Sequence, residues 1–181
     1  MAMHADDAWC VVGSDSGAVH AWAWDDVKWS PRMGSSIDWT DARHKFNLNH
    51  GAVWSITMGS SYARAGLGSS EQTGQAICSS SDGTLSVFDL TGERPREAAA
   101  IGIGTFCFNM CATSSTTVAG AADDGRVHVC DWNAGKTLLR LEGHTRSVHS
   151  VVCNARYNHS GQPQVLFSGS RDKTIRVWDT R

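Results

Sequence analysis

Ser168, His144 and Asp172 are the residue types of a hydrolytic triad, in which a carboxylate orients an imidazole that takes the proton of an attacking hydroxyl. The sequence around them does not build that machinery. Ser168 sits in Leu166-Phe167-Ser168-Gly169-Ser170 rather than in the G-x-S-x-G turn that exposes a nucleophile. Gly102 and Gly104 form a lone G-x-G without the third glycine of a phosphate-binding loop. Six cysteines (Cys10, Cys78, Cys107, Cys111, Cys130, Cys153) raise zinc or disulfide chemistry, but none forms a C-x-x-C pair. Five fall in expected strands among apolar neighbours and read as reduced core thiols. Cys107 and Cys111 share one side of a single strand and are too far apart along it for a bridge. The reading is a non-enzyme with no catalytic residue, no metal and no cofactor.

The elements that carry these residues recur. Ser16-Gly17-Ala18-Val19-His20-Ala21-Trp22, Asp82-Gly83-Thr84-Leu85-Ser86-Val87-Phe88, Asp124-Gly125-Arg126-Val127-His128-Val129-Cys130 and Asp172-Lys173-Thr174-Ile175-Arg176-Val177-Trp178 each join a tight polar turn to a strand of alternating side chains. Repetition at intervals of 66, 42 and 48 residues marks one supersecondary unit copied along the chain.

The last copy runs from Leu141-Glu142-Gly143-His144 through Val165-Leu166-Phe167-Ser168-Gly169-Ser170-Arg171-Asp172 to Val177-Trp178-Asp179. Its Gly-His start and Trp-Asp finish resemble those of WD40 repeats, which implies an all-β fold of the β-propeller type. That resemblance gives His144, Ser168, Asp172 and Trp178 a structural role as a hydrogen-bonded tetrad. The carboxylate accepts from one imidazole nitrogen, the serine hydroxyl donates to the other, and the same hydroxyl accepts the indole N–H. In the earlier copies Ser168 corresponds to Val12, Cys78 and Gly120, and Trp178 to Trp22, Phe88 and Cys130, so those copies are expected to rely on apolar packing alone.

Residues 1–181 then read as a single propeller region of about four blades, with boundaries near 1–48, 49–103, 104–141 and 142–181. Blade one is expected to open at its second strand, Trp9 to Gly13, with only Met1 to Asp7 before it to supply a first. Blade four is expected to stop at its third strand, Ile175 to Asp179. An arc open at both ends exposes two sheet edges, so the expectation is an incomplete or partner-completed propeller.

Two insertions interrupt the repeat, and insertions in such arrays map to surface loops. Asp25 to Arg43 carries Trp29 and Trp39, either partner-binding anchors or a cover for the blade edge. Gly59 to Gln75 reads as a Gly/Ser-rich spacer.

The net charge of −2 hides an asymmetry. Residues 1–135 hold 8 Lys/Arg against 15 Asp/Glu, whereas residues 136–181 hold 8 against 3. The basic final blade, including Arg171, could face an acidic protein or an RNA backbone; a solvated rim is the plainer reading in the absence of interleaved aromatics. No run approaches 18 apolar residues, and Met1 to Trp9 lacks the basic and apolar regions of a signal peptide. The expected address is nuclear or cytoplasmic, with other proteins as partners, no membrane and no small-molecule substrate.

Two further resemblances bear on function. Asp7-Ala8-Trp9-Cys10-Val11-Val12, Val19-His20-Ala21-Trp22-Ala23-Trp24 and Gly143-His144 with His149, Val151 and Val152 are similar to the sixth-subunit family of the THO complex, WD40 proteins of messenger-RNA packaging and export. That likeness implies a scaffold inside a multisubunit complex. The finish Trp178-Asp179-Thr180-Arg181 resembles the box of substrate receptors that dock on the adaptor of cullin-RING ubiquitin ligases, and implies docking through Asp172, Asp179 and Arg181 as the alternative.

Overall fold

The structure is a computed structural model and describes residues 2–5, 9–23, 42–48, 51–59, 74–114, 116–153 and 165–180, with backbone alone for 2–5. The described residues form four separate antiparallel sheets and no helix. Blade one consists of β1 (Ala2–Ala5), β2 (Trp9–Gly13), β3 (Ala18–Ala23) and β4 (His44–Asn47). Blade two holds β5 (Val53–Met58), β6 (Gln75–Ser80), β7 (Thr84–Asp89) and β8 (Arg96–Gly102). Blade three holds β9 (Cys107–Ala112), β10 (Thr117–Ala122), β11 (Val127–Asp131) and β12 (Lys136–Leu141). Blade four holds β13 (Val148–Cys153), β14 (Val165–Ser170) and β15 (Ile175–Asp179). Each sheet pairs its strands in chain order, so every blade is a meander. The first strands of successive blades lie side by side, β1 by β5, β5 by β9 and β9 by β13, which fans the blades around their inner strands.

One expectation is corrected here. Blade one does not open at its second strand, because β1 pairs with β2 from Ala2 opposite Gly13 to Ala5 opposite Cys10. The outer strand of blade two is also longer than its composition suggests. β8 spans seven residues, although Ala98-Ala99-Ala100 has low strand propensity, because β7 pairs along its whole length apart from a bulge at Ala98.

The turn between the second and third strands has one geometry in all four blades. Gly17, Gly83, Gly125 and Lys173 occupy the same left-handed position, at φ 82°, 85°, 81° and 70°. Their N–H groups donate to Ser14, Ser80, Ala122 and Ser170, closing a three-residue hairpin. In three blades the preceding aspartate stiffens the turn, accepting the backbone N–H two residues ahead: Asp82 from Thr84, Asp124 from Arg126 and Asp172 from Thr174.

The core consists of three inter-blade layers, one between each adjacent pair, and a smaller cluster of Cys10, Val12 and Trp22 within blade one. Trp9, Val11, Val19 and Ala21 of blade one pack on Val53, Ile56, Cys78 and Phe88 of blade two. Ile77, Leu85 and Val87 meet Cys107, Met110, Val118 and Cys130. Ala119, Val127 and Val129 meet Val148, Val151, Leu166 and Trp178. The third-strand positions that face the next blade are buried in blades one to three, whereas their equivalents in blade four, Ile175 and Val177, are 79% and 62% exposed.

Candidate interaction site

The four side chains singled out in the last blade stand in one chain of hydrogen bonds. Asp172 comes from the β14–β15 turn, His144 from the loop before β13, Ser168 from β14 and Trp178 from β15. His144 Nδ1 meets Asp172 Oδ2 at 2.8 Å and its Nε2 meets Ser168 Oγ at 2.9 Å. The Trp178 indole N–H donates to the same Ser168 oxygen at 2.8 Å. With the imidazole proton on Nδ1, every group is used once: carboxylate as acceptor, hydroxyl as donor to Nε2 and acceptor from the indole. Asp172 also accepts from the Thr174 hydroxyl at 2.6 Å and the Thr145 N–H at 3.0 Å. The Thr174 hydrogen bond leads the set that holds its carboxyl well below the usual carboxylate range, against desolvation that pushes it up. The Ser168 hydroxyl therefore points its proton into a closed network.

Residues 135–179 match the WD40 family, described as "WD domain, G-beta repeat". The last blade is a WD40 repeat. Part of the chain is 41% identical over 63 residues to "Mitochondrial division protein 1" of Pyricularia oryzae, covering 35% of this chain and 8% of that protein. A 58-residue stretch is 41% identical to "THO complex subunit 6" of Drosophila melanogaster, covering 32% of this chain and 15% of that one. The chain thus spans only a small part of the curated relatives it matches. The crystal structure of the computationally designed Ika4 protein superposes on 98% of this chain and 89% of its own length, with TM-score 0.70 at 17% identity. That likeness bears on the fold.

The other blades do not fall back on apolar packing alone, and that expectation is corrected. Asp124, in the blade-three turn, meets His128 Nε2 of its own blade at 2.9 Å and takes the Arg126 N–H at 3.0 Å. Burial works against the Asp124 carboxylate, yet the hydrogen bonds from His128 and Arg126 leave it lowered. Polar ties also cross the blade boundaries. His44 Nε2–H donates to the Leu90 carbonyl at 2.9 Å, and the Trp132 indole to Gln75 Oε1 at 3.0 Å. Ser147 Oγ–H donates to Asp123 Oδ1 at 2.7 Å. A tetrad pattern taken from one blade does not foresee these pairs, because Asp124 finds its histidine on its own third strand and the others cross between blades.

Of the residues considered for partner binding, Trp29, Trp39 and Arg181 lie outside the described residues. Arg171 and Asp179 are exposed, while Asp172 is committed to the tetrad. Among the described residues no group of His, Cys, Asp or Glu has the arrangement of a metal site, and no helix is long and apolar enough to cross a membrane.

The structure brings forward a surface that sequence reasoning missed. Each inner strand of blades two, three and four carries a β-bulge: Val53 pairs with Ser80 and Ser55 with Ser79, Asn109 with Ala121 and Cys107 with Ala122, Val148 with Ser170 and Ser150 with Gly169. The extra residues are Trp54, Phe108 and His149. A bulge turns its unpaired residue away from the ladder. With Phe106, these rings form a row across three blades. Trp54 stacks on Phe106 at 4.9 Å between centroids, Phe106 meets Phe108 edge-on at 5.0 Å, and Phe108 leans on His149 at 4.5 Å. Trp54 is 44% exposed and His149 is exposed too, so the row is open to solvent at both ends. A signal was present. Val53 and Ile56, Cys107 and Met110, and Val148 and Val151 are buried pairs spaced three apart, which a regular strand cannot place on one face.

Proposed function

We propose that this WD40 chain is a non-catalytic scaffold that holds other proteins within a multisubunit complex of the messenger-RNA packaging kind. The observation that carries the reading is the aromatic row Trp54–Phe106–Phe108–His149, to which three blades contribute jointly and which leaves Trp54 44% exposed. Large rigid rings on a fixed frame contribute contact area while losing little entropy on binding, and aromatics dominate interface hot spots. The local likeness to "THO complex subunit 6" supports the choice of complex. The Trp178 indole N–H on the Ser168 oxygen supports a structural role for that hydroxyl, since it occupies a lone pair of the atom that would have to attack.

The test is affinity purification of the intact protein from nuclear extract, followed by mass spectrometry, beside a Trp54→Ala, Phe108→Ala variant. Recovery of THO-complex subunits with the parent and their loss with the variant is the expected result. Capture of RNA without those proteins, or turnover of an ester substrate that Ser168→Ala abolishes, overturns it. Recovery of a cullin-RING adaptor replaces it with the receptor reading.

A further inference from the structure

Cys111 near the end of β9 and Cys153 at the end of β13 belong to the inner strands of blades three and four. These strands share no ladder, yet a series of contacts sets them in one register. Phe108 lies on His149, the Val151 N–H donates to Asn109 Oδ1 at 3.0 Å, and the Cys153 thiol reaches the Ala112 carbonyl at 3.2 Å. Cys111 and Cys153 pack against the same layer between these blades, and the Cys153 thiol touches the residue next to Cys111. Both are partly exposed, whereas Cys10, Cys78, Cys107 and Cys130 are buried.

We propose that Cys111 and Cys153 form an oxidisable dithiol that closes into a disulfide stapling blades three and four when it meets a small-molecule disulfide such as oxidised glutathione. The two residues flank one inter-blade layer from neighbouring blades, so a bond between them would join elements that no backbone ladder connects. Reactivity is divided between the two sulfurs. The hydrogen bond from Cys111 lowers Cys153, while that hydrogen bond and then burial raise Cys111. Cys153 is thus the attacking thiolate, giving up its contact with the Ala112 carbonyl as it ionises.

The exchange balances in two steps. The Cys153 thiolate attacks one glutathione sulfur, forming a mixed disulfide and releasing one glutathione thiolate. Cys111 then loses its proton to solvent and attacks the Cys153 sulfur, releasing the second glutathione. Two protein thiols are oxidised and one glutathione disulfide is reduced to two thiols.

The folded protein is treated with oxidised glutathione, then unfolded and alkylated with N-ethylmaleimide, and its mass is measured. Protection of two of the six free thiols is expected, with a peptide map joining residues 111 and 153. Cys111→Ser is expected to trap Cys153 as the glutathione mixed disulfide, and Cys153→Ser to leave every remaining thiol open to alkylation. Six alkylated thiols after oxidation of the parent, or a bridge mapped to any other pair, overturns the proposal.

Discussion

Trp54 and Phe106 stack with their ring planes 19° apart, although Trp54 sits on the inner strand of blade two and Phe106 leads into that of blade three. Neither ring is held by a ladder contact to the other. The bulge at Trp54 aims its indole along the line of inner strands, where the next blade presents Phe106.

Trp54→Ala is expected to separate binding from folding. An aromatic pair is worth about 0.5–1.5 kcal/mol beyond area burial, and Trp54 is 44% exposed, so the loss of stability in urea titration is about 1 kcal/mol. Partner recovery falls at least tenfold if the row is the anchor. Unchanged recovery removes the row from the interface.

Ser168→Ala leaves two groups unpaired together, the Trp178 indole N–H and the His144 Nε2. An orphaned buried polar group costs about 1–3 kcal/mol. Equilibrium unfolding is expected to lose at least that much, although the substitution removes a single oxygen. A neutral result means that the hydroxyl does not bridge the two rings.

Trp178→Ala is expected to cost about 3 kcal/mol, since the indole packs on the blade-three face and its N–H anchors Ser168. Cys130→Ala, at the equivalent place in blade three, removes one atom from a fully buried site and costs about 1 kcal/mol. Chemical denaturation of the two variants ranks them.

Acid is expected to weaken the final blade through Asp172. Its carboxyl is depressed in the fold, first by Thr174 and then by Thr145 and His144. The stability it contributes is present above the unfolded carboxylate value, about 3.9, and is lost as pH falls through the lower folded value. Asp172→Asn is expected to flatten the acid limb of a plot of stability against pH. A limb of unchanged slope places the titration elsewhere.

Lys173→Gly is expected to stabilise the protein. Lys173 is the only described residue other than glycine at positive φ, and its counterparts in the other blades are Gly17, Gly83 and Gly125. A side chain in the left-handed region costs roughly 1–2 kcal/mol, and the extra freedom of glycine in the unfolded chain returns about half of that. The melting temperature should rise by a few degrees. A fall means that the Lys173 side chain makes compensating contacts.

The sequence alone determined the blade and its internal chemistry. The spacing of the recurring polar turns located the second and third strands of every blade, and the offsets among His144, Ser168, Asp172 and Trp178 picked out a network whose distances are 2.8 to 2.9 Å. Those relations lie within one meander, where hydrogen-bonded neighbours stay close along the chain and strand periodicity fixes which side chains share a face. Only the tertiary structure decided what adjacent blades do to each other. The stacked rings of Trp54 and Phe106, the bond from Trp132 to Gln75 and the meeting of Cys111 with Cys153 all cross between sheets that share no ladder. Their approach depends on how the blades fan about the inner strands and on bulges that re-aim one residue per strand. A two-residue alternation carries no trace of the first and is broken by the second.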